Sequence, residues 1–453
     1  MTFLEEYKQK LISAEKAAQM VKSGDLVGYG YFGNPPYDFD IALGNRADDE
    51  SLKDVTVQVA GSVRMWNFLK TDPTGQKFTM ISDHFSGLDR MLGDKGRAVY
   101  GPVSYHEFHR MRLELHQSFI QRDVMCVTTA PMDAHGNFNF GLTASCTYAE
   151  LINAKIVIVE TNPNMPYVMG GALECINIKD VDFIIESNAP IFAMPPAGQP
   201  NEAEKKIGEY IMPLIPDGAC LQLGIGGVPN TIGHLIAQSE LKDLGIQTEM
   251  YCDAITEMYE AGKITNKRKV RDKGRSIFTF CFGNPKTHEF LNKNPQVAAY
   301  DCDYTNNPKY IQMEDNVISI NNCVEIDLLS QVCSESSGLR QISGTGGSLD
   351  YHIGAFESRG GKGIVALEST YTDKAGKMHS RIKPFLTPGA VVTVPRVMVH
   401  YVATEWGIVN MKMRSVWGRA EQMINLAHPD FRDELLKNAK EMGLWSPTNR
   451  IPF

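Results

Sequence analysis

Glu249 is the residue whose setting most suggests covalent chemistry. It lies in GIQTEMYCD, residues 245–253, an apolar and weakly polar stretch with no other acidic group before Asp253. A carboxylate at the end of a strand-like segment, Ile246 to Cys252, is a candidate nucleophile. Upstream, LQLGIGGVPN over residues 221–230 joins an apolar run to Gly224-Ile225-Gly226-Gly227 and Pro229. That order reads as a buried strand, a glycine turn and the start of a helix. Glycines let the backbone approach a ligand, and the N–H groups of a helix N-terminus face any anion or developing oxyanion held there. The competing reading of Glu249 is a solvated strand end.

Other residues offer weaker chemistry. Gly344-Thr345-Gly346-Gly347 is a second glycine-rich turn, and Glu405 in HYVATEWG is another carboxylate after an apolar run. His106-Glu107-Phe108-His109 has its histidines three apart instead of the four that a helical zinc site needs. His135 stands in a turn-rich loop, and Cys252 reads as a small hydrophobe in a strand. The basic run from Lys267 to Arg275 is either a solvated face or a patch that steers a polyanionic ligand. Neither of these two glycine turns has G-x-G-x-x-G spacing, so neither supports a dinucleotide reading, and no G-x-x-x-x-G-K-[ST] occurs to support a P-loop.

The elements that must position these groups repeat. AEKAAQMVK followed by SGDLVGYGYFGNPP parallels EKKIGEYIMPLI followed by PDGACLQLGIGGVPN. Gly24, Gly30, Gly33 and Pro35 fall over Gly218, Gly224, Gly227 and Pro229 at one offset, 218 − 24 = 194. A second pairing sets Ile156 and Glu160 over Ile364 and Glu368, with offset 364 − 156 = 208. Apolar runs such as VTVQVAG, IVIVET, SIFTFCFG, NVISINN, GIVALES and GAVVTVP alternate with helix-length stretches. The expected fold class is therefore α/β, with two similar domains from an internal duplication, each a largely parallel sheet covered by helices. The expected domains are 1–195 and 200–453, divided near the proline-rich segment at residues 194–204. Parallel sheets bind ligands beyond the carboxyl ends of their strands, where both glycine turns fall. Only the second copy has a full GIGG turn, so the C-terminal half is expected to hold the larger ligand and the N-terminal half the smaller one.

Composition narrows the partners. The chain has 453 residues, 43% hydrophobic and 22% charged, with a net charge of −8. That is enough for two cores and speaks against a nucleic-acid or anionic-membrane partner. No apolar run is long enough to span a bilayer, and MTFLEEYKQK has no signal-like apolar region, so a cytoplasmic location is expected. Nine cysteines without a C-x-x-C pair fit reduced thiols better than a disulfide framework or a zinc site.

LQLGIGGVPN, GIQTEMYCD, ISGTGGSLDY, HYVATEWG and INLAHPDFRDEL together resemble the acetyl-CoA hydrolase/transferase family, the class I CoA-transferases, and most of all its butyryl-CoA:acetate and 4-hydroxybutyrate branches. The resemblance implies two α/β domains of the CoA-transferase fold and makes Glu249 of Thr248-Glu249-Met250 the catalytic glutamate. It implies CoA contacts at Gly224, Ile225, Gly226, Gly227, Val228, Gly346 and Gly347, with Asn321 and Ser369 as weaker candidates. It also implies acyl-CoA and a small carboxylate as substrates, no metal, and a homo-oligomer. Two other readings are a hydrolase of the same family and a non-catalytic acyl-CoA sensor. Where such relatives carry G-G-Q-x-D-F, this chain has Gly347-Ser348-Leu349-Asp350-Tyr351. Acid selectivity is expected in GYFGNPPYDFD and GSVRMWNF of the first half.

Overall fold

The computed structural model describes residues 2–114, 121–195 and 198–445. Residues 196–197 of the proline-rich segment lie outside it. The chain forms two compact units. One gathers Met1–Pro195, Glu249–Asp253 and Arg275–Thr305; the other gathers Pro196–Thr248, Ala254–Gly274 and Asn306–Phe453.

The first unit is built on a sheet of seven parallel strands in the order Ala98–Tyr100, Phe78–Ser82, Val55–Val59, Leu26–Tyr29, Val124–Thr129, Ile156–Thr161, Phe183–Glu186. All six residues of Val124–Thr129 are buried, as a central parallel strand covered on both faces requires. Successive side chains serve opposite faces. Val124 and Cys126 join the core that contains Val27, Val57 and Ile158, while Met125 and Val127 join the one that contains Val157, Val159 and Ile184.

The second unit repeats the plan with six strands in the order Gly245–Ile246, Cys220–Leu223, Val317–Asn322, Lys362–Ala366, Tyr401–Thr404, Gly407–Asn410. Only the last pairing is antiparallel. Val27 pairs with Val124 and Leu221 with Ile318, so the offset of 194 holds across both strands (221 − 27 and 318 − 124). Beyond them the register corrects the sequence alignment. Val124 pairs with Ile156 and Ile318 with Lys362, an offset of 362 − 156 = 206 instead of 208. Ile364 therefore overlies Ile158, and Ala366 overlies Glu160. A shift of two keeps every side chain on its face, which is why the hydrophobic pattern could not reveal it.

Three expected strands differ from the structure. SIFTFCFG splits into Ser276–Phe278, paired with Val297–Ala299, and Phe280–Phe282, paired with Met250–Cys252. GAVVTVP contributes only an isolated bridge, Val332 to Val394, and leaves Val391 and Val392 exposed. The stretch Ile246 to Cys252 is two short strands separated by Gln247, Thr248 and Glu249, because its ends pair in different units.

Candidate active site

Glu249 belongs to the first unit, placed there by strand pairing and not by its position in the sequence. Met250–Cys252 runs parallel to Phe280–Phe282, with Met250 opposite Phe280. The Glu249 carbonyl accepts from the amides of Thr279 at 3.0 Å and Phe280 at 3.2 Å. The Thr279 carbonyl accepts in turn from Ala144 at 2.9 Å and Ser145 at 3.2 Å, and the Cys281 amide donates to Leu142 at 2.8 Å. Glu249 thus precedes its strand, with its backbone fixed and its residue half-buried.

Aromatic rings form a wall around Thr279 and Phe280. Phe280 stacks on Phe32 with centroids 4.0 Å apart and planes 15° apart. Tyr105 lies 6.2 Å from each of these rings, and Phe282 meets Phe32 edge-on at 5.7 Å. Phe32 occupies the first-copy turn Gly30-Tyr31-Phe32-Gly33 with φ +51°, an uncommon conformation for a bulky residue. Gly61 accommodates it, since a Cβ there would stand 2.8 Å from Phe32 Cδ1. GYFGNPP and GSVRMWNF, the segments expected to govern acid selectivity, therefore meet at the Phe32 ring.

Beneath Tyr31 lies a buried ionic network with no local sequence signature. The Tyr31 hydroxyl donates to Asp83, which also accepts from Gln58 Nε2 at 2.7 and 2.9 Å. Arg112 lies 3.5 Å from Asp83 and 3.3 Å from Glu150, and Arg122 lies 2.8 Å from Glu150. Two guanidinium groups balance two carboxylates, the condition under which buried charge is tolerated. Nearby, burial lowers the pKa of His84 to about 4, so it stays neutral at physiological pH.

The second unit holds the GIGG turn. Cys220–Leu223 ends in Gly224, whose amide donates to Ile320 at 2.8 Å, and the helix Gly227–Gln238 begins directly after Gly226. The first-copy turn differs, since its next helix starts only at Asp38. Gly226 has φ +131° and ψ 177°, a backbone region almost confined to glycine. Ile225 is 49% exposed at the tip, whereas Val228 is buried. The first amides of this helix have no partners within it, and Pro229 donates none. Gly346, at φ +49°, and Gly347 lead into a second helix, Ser348–Glu357.

The weaker candidates have local tasks. Asn321 is buried and exchanges hydrogen bonds with Gln222 at 3.0 and 3.1 Å, donating also to Ser319 at 2.9 Å. It supports Gly224 from below, where a Cβ would come within 2.7 Å of Asn321 Oδ1. Ser369 is fully buried and gives both its amide and its hydroxyl to Glu405, so Glu405 ties two strand ends together. The basic run is largely committed. Lys267 and Arg268 pair with Asp243 at 2.6 and 3.0 Å, and buried Lys269 donates to the Ile246 carbonyl at 3.0 Å. His109 faces Asp301 at 2.9 Å, His135 is exposed in its loop, and Cys252 is buried within its strand.

Sequence reasoning missed Tyr105 and Ser145, whose hydroxyls meet at 2.7 Å in the buried wall. No spacing or local motif marks Tyr105 or Ser145, because folding brings together segments 40 residues apart.

Comparison with known proteins agrees with this architecture. Residues 1–196 match the acetyl-CoA hydrolase/transferase N-terminal domain and residues 283–439 its C-terminal domain. A butyryl-CoA:acetate CoA-transferase of Anaerostipes caccae is 44% identical over 99% of this chain and 100% of its own length. The crystal structure of RipA from Yersinia pestis superposes with TM-score 0.89 at 34% identity, covering 98% of this chain and 100% of that one. A 4-hydroxybutyrate CoA-transferase from Porphyromonas gingivalis superposes with TM-score 0.78 at 29% identity, covering 97% and 100%. The duplicated α/β architecture is the CoA-transferase fold. The chain belongs to the acetyl-CoA hydrolase/transferase family.

Proposed function

We propose that this protein moves CoA between a short-chain acyl-CoA and a carboxylate, of the butyryl-CoA:acetate type, with Glu249 as covalent nucleophile. The observation that carries the reading is a glutamate whose carbonyl is anchored by the Thr279 and Phe280 amides beside a buried Phe32–Phe280 stack. Coenzyme A is a substrate here and not a resident cofactor. The names of the relatives support the reaction class.

The Glu249 carboxylate attacks the thioester carbonyl, the C–S bond breaks, and CoA leaves as thiolate from an acyl-glutamyl anhydride. The thiolate then attacks the glutamyl carbonyl, the C–O bond breaks, and the first acid departs, leaving a glutamyl-CoA thioester. The acceptor carboxylate runs both steps in reverse. A carboxylate nucleophile suits the task because its anhydride conserves the group-transfer potential that a serine ester would dissipate. Aromatic packing serves transfer by keeping water from both intermediates.

CoA is held by the Gly224–Val228 turn and by Gly346 and Gly347, with Asn321 supporting the first turn and Ser369 a lesser contributor. Residues 1–195 shape the carboxylate side, and 200–453 carry the CoA turns. The protein works in the cytoplasm as a homo-oligomer. Among the described residues no helix is long and apolar enough to cross a membrane.

The test is exchange kinetics with butyryl-CoA and acetate. Ping-pong exchange with little free thiol, lost in Glu249→Ala, supports the reading. Thiol release without an acceptor would make the protein a hydrolase, and full exchange by the variant would remove Glu249 from the chemistry. Propionate, 4-hydroxybutyrate and a small dicarboxylate tried as acceptors then rank the acids.

A further inference from the structure

Resting on the covalent role of Glu249, we propose that the Tyr105 hydroxyl donates the hydrogen bond that stabilises the oxyanion formed on the Glu249 carboxyl group when the CoA thiolate attacks it. The step is balanced as written above. The C=O π pair moves to oxygen as the C–S bond forms and returns as the acid leaves, and the phenol keeps its proton throughout.

The placement comes from the chain of contacts about Thr279. Glu249 and Ser145 bind the same peptide segment from its two sides, Thr279 N to Glu249 O at 3.0 Å and Ser145 N to Thr279 O at 3.2 Å. The Ser145 hydroxyl then meets the Tyr105 hydroxyl at 2.7 Å. Tyr105 is held by rings on several sides, Phe32 and Phe280 at 6.2 Å and Phe108 at 5.7 Å. Ser145 has φ +41°, an uncommon conformation for a residue with a Cβ. It is kept there by its bond to Thr279 and by the Cys302 amide, which donates to the Ser145 carbonyl at 3.0 Å. Backbone strain of this kind persists only where the surroundings over-determine it, and it gathers at functional sites.

Counting protons gives the pair its chemistry. Two hydroxyls carry two protons, and the bond between them uses one. Among the described residues, Ser145 Oγ also meets Cys146 Sγ at 4.0 Å, and sulfur accepts weakly. A hydroxyl proton is therefore available for a stronger acceptor nearby. Burial pushes the Tyr105 phenol pKa well above its ordinary value, and the Cys302 thiol and the charge of Glu249 add to the shift. The phenol thus remains a donor throughout the physiological range. A buried donor fixed before charge develops has little to reorganise, and that is the condition for strong transition-state stabilisation.

The experiment mixes the protein with butyryl-CoA, quenches at intervals and follows the glutamyl-CoA adduct by intact mass. Wild type, Tyr105→Phe, Ser145→Gly and Glu249→Ala are compared. Tyr105→Phe keeps the ring and should slow adduct formation about 100-fold. Its effect on butyryl-CoA Kd, measured in the Glu249→Ala background where no adduct forms, should stay within about threefold. Ser145→Gly keeps the left-handed backbone and the phenol proton, so its loss should be smaller, below about tenfold. An adduct formed by Tyr105→Phe at the wild-type rate overturns the proposal. So does a loss that lies wholly in Kd, or a larger loss in Ser145→Gly than in Tyr105→Phe. If wild type forms no adduct, the covalent reading fails and takes this one with it; if wild type and Tyr105→Phe form it equally fast, only this one fails.

Discussion

Replacing Gly226 by alanine tests whether the glycine turn is needed for its shape. Gly226 sits at φ +131° and ψ 177°, and a Cβ built there would stand 2.0 Å from Asn322 Nδ2 and 3.2 Å from its Cγ. The clash can be relieved, because the Asn322 amide ends a side chain and gives up only a 3.4 Å bond to the Ile225 carbonyl, worth about 1 kcal/mol or less. The backbone term cannot be relieved without refolding the turn, and it costs on the order of 1–3 kcal/mol. The backbone therefore decides the outcome. Either the second unit loses roughly 2–4 kcal/mol, or the turn relaxes and re-aims the amides at the head of Gly227–Gln238. Losing two amide contacts to CoA at about 1 kcal/mol each would weaken binding by about 30-fold. Gly24→Ala is the control. It also has positive φ, +82°, but nothing lies within 4 Å of its Cβ. It should cost about 1 kcal/mol and leave CoA affinity alone. Urea denaturation and calorimetric CoA titration read the two effects. A Gly226→Ala protein with an unchanged urea midpoint and a CoA Kd within about twofold of wild type would refute the reasoning.

Three further outcomes are expected. Arg122→Leu removes one of two guanidinium groups that balance buried Asp83 and Glu150, and should cost about 3–5 kcal/mol in urea denaturation. Burial raises the Glu160 carboxyl from 4.5 to about 7, outweighing the Phe39 and Tyr37 amides that favour its charged form. The native state therefore holds a proton that the unfolded chain has lost. Stability should fall as pH rises through about 4.5 to 7 by up to about 3 kcal/mol, flatten above that, and lose this slope in Glu160→Gln. Glu405→Gln weakens the clamp on the Ser369 amide and hydroxyl, so it should lower the melting temperature while slowing glutamyl-CoA formation far less than Glu249→Ala does, as the mass assay would show.

The duplication and the largely parallel sheets were legible because parallel strands buried on both faces leave continuous apolar runs, and because Gly30 and Gly224 each follow such a run. The helix start was legible from Pro229 close behind the glycine turn, although the helix begins two residues earlier, at Gly227. The two-residue shift between Ile156 and Lys362 was not, since it preserves side-chain parity. Nor was the membership of Glu249 in the first unit, because its ladder with Phe280–Phe282 joins residues some thirty apart and neither segment carries a mark of its partner. The network of Asp83, Arg112, Arg122 and Glu150 assembles from segments whose charges look like surface charges in isolation. The basic run from Lys267 was legible as charge but not as structure, because its acceptors, Asp243 and the Ile246 carbonyl, are set by folding.

The central claim is that Glu249 becomes a thioester of CoA during turnover. The direct measurement is peptide mapping by mass after wild-type protein is mixed with butyryl-CoA, with borohydride reduction of a parallel sample. The account predicts a CoA adduct on the peptide containing Thr248-Glu249-Met250, converted by borohydride to the alcohol at residue 249, lost on adding acetate, and absent in Glu249→Ala. An adduct on any other residue, or none while exchange proceeds, would contradict it.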